Sequence, residues 1–203
     1  MTVPEKRRID PERAAHRRRQ VLEAAAACFK RSGFHGASMS EISKAAGMSA
    51  GHIYNYFDSK DEIIIAFVEE DMERVSTMIR GLGASDDPLQ ALLDEVPQHI
   101  RQNLDPEYWM LPLEIFAESS RNPRIATVAQ DADLRARTEF RGILRKGREL
   151  HGLPADDKTI DAIMETLISM FQGLQLRALH NPGLDADGLL PRFQAVCRTL
   201  LFT

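Results

Sequence analysis

At 203 residues the chain can bury a substantial core, as one large domain or as a small one joined to a larger. No apolar run approaches the roughly 18 residues of a membrane span and the charged N-terminus is no secretory signal, so neither membrane nor export is expected and the cytoplasm is the expected location. The net charge of −4 is unevenly spread: residues 1–61 hold 11 Lys and Arg against 7 Asp and Glu, the remaining 142 hold 15 against 23, and a basic head on an acidic body suits a nucleic-acid reader.

Alternating β-branched runs are scarce and apolar residues recur at helical spacing, which predicts an all-α fold of about nine helices. Residues 1–10 (MTVPEKRRID) are basic and aperiodic, the pattern of a mobile arm or solvated tail. Asp10-Pro11 is a helix start. The helix it opens carries Arg17, Arg18 and Arg19, then Val21, Leu22, Ala25, Cys28 and Phe29 on one face, and stops at Gly33. It is expected to pack under the next elements and bring one or more of those arginines towards a phosphate backbone.

From Gly33 to Glu62 the chain carries the signals on which its function rests. Ser38 followed by Glu41 is a capping box, Ile42, Ala45 and Ala46 form an apolar stripe, and Gly47 ends that helix. Ser49 caps a short segment from Ala50 to Phe57, with Ile53 and Phe57 four apart. Ser59 with Glu62 is a second capping box. Two short helices joined by a glycine-containing turn make a helix-turn-helix, whose second helix enters the DNA major groove. Ala50, Gly51, His52, Tyr54, Asn55 and Tyr56 are small or polar and none is acidic. They suit close approach to base edges and hydrogen bonds to bases or phosphates. Lys60, at the start of the following helix, is placed to hold a phosphate.

These residues resemble the DNA-binding domain of the TetR family of bacterial transcriptional regulators. The likeness rests on Gly47-Met48-Ser49-Ala50-Gly51 leading into Ile53-Tyr54-Asn55-Tyr56-Phe57, then Ser59-Lys60-Asp61, and it covers roughly residues 15 to 65. It implies that Ala50, Gly51, His52, Tyr54, Asn55 and Tyr56 face DNA and that Lys60 takes a phosphate; Ser38 and Ser49, at the two helix starts, complete the DNA-binding set. Tyr56 stands where histidine is common in the family, which puts the geometry of that contact in question.

From Lys60 to Ile79 the pattern is one long amphipathic helix without glycine or proline, the natural mechanical link between head and body. Asp87-Pro88, Asp105-Pro106 and Asn122-Pro123 each place a cap before a proline and predict helices over 88–103, 106–120 and 123–150. Pro97 and Pro112 fall inside the first two and are expected to kink them, opening gaps for a ligand. Arg137, Arg141, Arg145 and Arg148 share one face, read as solvated in preference to a second anion site because Asp133, Glu139 and Glu149 lie close by. The helix over about 157–180 is the most apolar in the chain, and a last helix carries Leu189, Leu190, Phe193, Val196, Cys197, Leu200 and Leu201. Two broad-faced helices at the end suit a two-fold dimer, with Gly173 allowing close approach, and the resemblance implies the same.

The expected organisation is therefore a helix-turn-helix domain over 1–61 and a helical ligand-binding and dimerisation domain over 62–203. The expected function is a ligand-responsive regulator, in the family's usual mode a repressor, that binds a near-palindromic operator as a homodimer. A small, largely apolar effector would release it. Trp109, Met110 and Phe116, with Met164, Leu167 and Phe171, are the pocket candidates, and Tyr108 and His99 the polar contacts; ordinary core is the competing reading for each. Cys28 and Cys197 read as buried free thiols, with a redox pair as the alternative. His99, His151 and His180 are scattered without a metal or catalytic motif, so no cofactor, metal or catalytic residue is assigned. The alternatives are a helical protein-binding adapter, or a small-molecule enzyme, with a vestigial head.

Overall fold

A computed structural model describes residues 11–203; the expected N-terminal arm and the Asp10 cap lie outside the described residues. Those residues form nine helices and no strand: α1 (Pro11–Gly36), α2 (Met39–Ala45), α3 (Ala50–Ile53), α4 (Lys60–Gly83), α5 (Pro88–Leu104), α6 (Pro106–Ser119), α7 (Pro123–Leu150), α8 (Asp157–His180) and α9 (Ala186–Phe202). They fall into two compact units that divide between Phe67 and Val68, so α4 contributes to both.

The boundaries follow from local chemistry. Asp87 accepts from the N–H groups of Leu89 and Gln90, Asn122 from those of Arg124 and Ile125, Asp156 from Thr159, and Asp185 from Asp187 and Gly188. Asp105 ends α5 and caps α6 in one residue. Each cap satisfies donors that the first helical turn leaves unmet. α5 and α6 continue through Pro97 and Pro112. α1 is interrupted at Gly33 (φ 69°, ψ 168°), a conformation that only glycine adopts readily.

In the head, Ile42, Ile53, Phe57, Ile63 and Ile64 are buried with Val21, Ala25, Cys28 and Phe29 of α1. Phe29 meets Phe34 and Phe67 edge-on, at ring separations of 5.4 and 6.2 Å. In the body, α5 is central and packs on α6, α7, α8 and α9. Its stripe of Leu89, Leu93, Val96 and Ile100 joins Leu144, Ile160, Met164, Leu167, Cys197 and Leu201 in one core. Burial pushes the Cys197 thiol up to about 11, and both cysteines are buried and free.

The arginine face of α7 differs from its expected solvated role. Arg137 pairs with Glu165 at 3.0 Å, Arg141 with Asp161 at 2.5 Å, and Arg145 with Asp157. Steps of four along both helices, in opposite directions, make an antiparallel ladder between α7 and α8. Arg148, one turn further, is 1% exposed. Its guanidinium donates to the carbonyls of Pro154 (2.6 Å), Leu201 (2.9 Å), Thr203 (3.3 Å) and Leu200 (3.4 Å). These include the C-terminal carbonyls of α9, whose negative partial charge suits a cation.

Candidate nucleic-acid interface and ligand-binding body

The candidate reading surface is built from the turn outwards. Ser38 Oγ accepts from Glu41 N–H at 3.1 Å and so starts α2; Ser49 Oγ accepts from His52 N–H at 3.3 Å and so starts α3. Between them Gly47 takes φ 63°, the left-handed conformation that lets the chain reverse. α3 is regular only to Ile53. The chain then tightens through bonds from Asn55 N–H to His52 O (3.2 Å) and from Tyr56 N–H to Ile53 O (3.0 Å), shorter in span than the expected helix to Phe57. Ile53 (0% exposed) and Phe57 (3%) face inwards.

That inward anchoring leaves Ala50, Gly51, His52, Tyr54 and Asn55 exposed, Tyr54 by half. Tyr56 is half-buried; its hydroxyl lies 3.5 Å from His52 Nε2 and the two rings meet edge-on at 5.4 Å. Ser38 and Ser49 are also exposed. Lys60 is placed differently from the rest. Its ammonium donates to the carbonyls of Phe34 and Ala37, both at 2.7 Å, and lies 4.5 Å from the centre of the Phe34 ring. Two of its three N–H bonds therefore tie the end of α1 to the start of α4, a role that its sequence context did not signal. Arg18 is drawn over the Phe57 ring at 4.8 Å, and Gln20 donates to Ala46 O at 2.7 Å.

In the body, the candidates for ligand contact separate. Met164 and Leu167 are fully or almost fully buried in the core, with Phe171 packed against it. His99 lies against Phe171 at 5.7 Å, and burial holds its imidazole below the ordinary value despite the nearby Glu95 carboxylate. Tyr108 accepts from Arg74 of α4 at 3.0 Å. Trp109 is 5% exposed, Met110 is half-buried and Phe116 is half exposed at the surface. A cleft of about 610 Å³ lies between the rear of α4 (Arg74, Met78, Leu82) and α5 (Asp94, Glu95, His99). Of the candidates only His99 lines it. Among the described residues no group of three or more His, Cys, Asp or Glu side chains is gathered for a metal ion, and no helix is long and apolar enough to cross a membrane.

A capped pair of short helices with a small polar outer face, set among nine helices in the described residues, defines a helix-turn-helix protein with a helical body. Comparison with known proteins agrees. Residues 21–67 match the family model described as bacterial regulatory proteins, tetR family, and residues 86–201 match that of the BetI-type transcriptional repressor, C-terminal. The chain belongs to the TetR family of bacterial transcriptional regulators. It is 32% identical over 127 residues to the HTH-type transcriptional regulator UidR of Escherichia coli (strain K12), a match that spans 61% of each chain. The HTH-type transcriptional repressor AcnR of Corynebacterium jeikeium is 25% identical over 171 residues, 84% of this chain and 86% of that one. Among solved structures, a putative transcriptional regulator from Pseudomonas aeruginosa PAO1 is similar, with a TM-score of 0.76 and 26% identity over 96% of this chain and 91% of that one. These relatives are transcriptional regulators.

Proposed function

We propose that the protein is a ligand-responsive repressor that binds a near-palindromic DNA operator as a homodimer and releases it when a small molecule enters the body. One observation carries this reading: the outer surface of α3 and its following turn, where Ala50, Gly51, His52, Tyr54 and Asn55 are exposed and free of acid while Ile53 and Phe57 hold the segment from behind. Small residues allow close approach to base edges, and His52 and Asn55 bring groups that read them.

Dimerisation is supported by the last two helices. Leu176 and Leu179 of α8 and Val196 of α9 are 50%, 51% and 45% exposed, and Gly173 has open space where its side chain would be. A two-fold dimer offers its reading helices to successive major grooves about 34–36 Å apart. α4 carries residues of both units, so an effector that shifts its rear changes that spacing, in proportion to its preference for one state over the other.

Selection of bound fragments from random DNA, followed by gel shift, tests the reading. The expected result is a salt-dependent, sequence-selective complex with two half-sites. His52→Ala and Asn55→Ala should each change base preference by about 1–3 kcal/mol at one position of each half-site. Failure to select any sequence would sink the repressor and favour the adapter or enzyme.

A further inference from the structure

Neutral imidazole has two unlike ring nitrogens: one carries a proton and donates, the other holds a lone pair and accepts. Which base edge a histidine can read therefore depends on which nitrogen a neighbouring group has claimed. For His52 that neighbour is Tyr56. His52 lies in the single turn of α3, and Tyr56 follows four residues later in the tightened turn beyond it. Ile53 and Phe57, each one residue further on, are buried and fix the backbone beneath both. The two rings pack edge-on with centroids 5.4 Å apart, and Tyr56 Oη lies 3.5 Å from His52 Nε2. Among the described residues neither side chain has a second hydrogen-bonding partner, so each keeps capacity for DNA. His52 is exposed and Tyr56 half-buried, which sets the phenol back beside the imidazole.

A phenol has one proton and two ways to use it here. Given to His52 Nε2, it leaves the imidazole proton on Nδ1, and His52 then offers a donor, which suits guanine N7 or O6 or thymine O4. Given to a phosphate oxygen, it leaves Tyr56 Oη to accept from Nε2–H, and His52 then offers the Nδ1 lone pair, which suits the amino group of adenine or cytosine. The phosphate decides between the two. Its oxygens only accept, their charge makes the stronger bond, and backbone groups take roughly half or more of the hydrogen bonds in protein–DNA contacts, tyrosine among the donors.

We propose that Tyr56 is a positioning residue that sets the base specificity of His52. On DNA its hydroxyl donates to a backbone phosphate and accepts from His52 Nε2–H, so His52 reads an exocyclic amino group, of adenine or cytosine, through the Nδ1 lone pair. Tyr56 touches no base; it fixes the tautomer with which His52 does. The contact to the backbone and the choice of base are thereby one chain of hydrogen bonds. This inference rests on the repressor reading and names the base chemistry that its reading surface recognises.

The operator selected from random DNA with the whole chain is the probe, used at about pH 8, above the ordinary imidazole value of about 6.5. His52→Ala locates the base pair that His52 reads, as the position where discrimination is lost. At that pair a purine without its 6-amino group replaces adenine, or a pyrimidine without its 4-amino group replaces cytosine. The loss of affinity in His52→Ala measures the weakened base pairing alone, and wild type should lose about tenfold more, one hydrogen bond. Tyr56→Phe keeps the ring but has no hydroxyl. It should bind every sequence about two- to tenfold more weakly, for the phosphate bond, and its discrimination at the His52 pair should also fall by about threefold. In the His52→Ala background that second effect should vanish. Melting temperatures equal to that of wild type would show that the head stays folded in both variants. A Tyr56→Phe profile weaker but unchanged in shape would reduce Tyr56 to a phosphate contact and overturn the proposal. A wild type indifferent to amino deletion would overturn it too, as would a His52→Ala variant that discriminates as wild type does. Each of those results leaves a selected operator in hand, whereas failure to select any sequence would sink the repressor reading itself.

Discussion

In the head, helices of seven and four residues carry the proposed reading surface, whereas the body has five helices of 14 to 28 residues, four of them packed around α5. Helices as short as α2 and α3 do not persist alone. They are held by Ser38 and Ser49 at their starts, by Ile42, Ile53 and Phe57 from behind, and by the Lys60 clip. The body relies on depth: a continuous apolar core, with its one fully buried charge, Arg148, spent on helix-end carbonyls. The difference teaches where each unit can change. On the proposed reading, substitutions on the outer face of α3 should alter what is read at little cost in stability, whereas the body transmits any substitution in its core.

The largest expected effect lies at Arg148. Arg148→Ala removes the donors of at least three buried or half-buried carbonyls and leaves a cavity, for an expected loss of about 3–5 kcal/mol in chemical denaturation. Arg141→Ala, on the half-exposed ladder one turn and more away, is the control and should cost no more than about 1 kcal/mol. Equal losses would show that Arg148 is no more than another ladder rung. Gly147→Ala comes next. A Cβ there would stand 2.6 Å from Leu89 Cγ and 2.8 Å from its Cδ2, and Leu89 is fully buried between α5 and α7. Overpacking of that kind should cost about 1–3 kcal/mol, and the double variant with Leu89→Ala should lose less than the sum of the two.

The arginine face shows what sequence can and cannot carry. The caps before Pro88, Pro106 and Pro123 and the turn at Gly47 were legible because each acts within four residues of itself. Arg148 has the same neighbours and spacing as Arg137, Arg141 and Arg145, and only the return of α9 alongside α7, more than fifty residues later, buries it. Lys60 likewise reads as a phosphate contact from its place at a helix start, yet the carbonyls it clips belong to Phe34 and Ala37. The ladder was invisible for the same reason: Asp157, Asp161 and Glu165 have meaning only in the register of α7 against α8. The outer face of α3 was legible because exposed small and polar residues around two apolar anchors are written in order along one short segment. Pocket residues were not, since Met164 or Leu167 looks the same in sequence whether it fills a core or touches a ligand.

Lys60 then divides the two units most sharply. Lys60→Met keeps the chain's length over Phe34 but loses both hydrogen bonds, and should destabilise the head by about 1–2 kcal/mol, seen as earlier loss of amide protection in α1 to α3 than in the body. Operator affinity should fall to the same extent for all sequences, with no change in base preference. Altered preference at one position would mean that Lys60 reads a base.

The smallest effect is expected in acid, at the cap of α5. Burial pushes the Asp87 carboxyl upward, but the N–H of Gln90, the His151 ring at 2.9 Å and the N–H of Leu89 outweigh it, so its folded value lies below the ordinary one. A depressed carboxylate stabilises the fold above its unfolded value, near ~4, and that contribution is lost as pH falls through the folded value. Wild type should therefore exceed Asp87→Asn in melting temperature at pH 7, and the gap should shrink as pH falls below the ordinary carboxylate range and through the lower folded value. Because Asn still caps the helix, the gap isolates the charge from the cap itself. A gap that fails to shrink as pH falls far enough to protonate the depressed carboxyl would place the stabilisation in the hydrogen-bond geometry of the cap, and would extend to the body the reliance on local bonds that distinguishes the head.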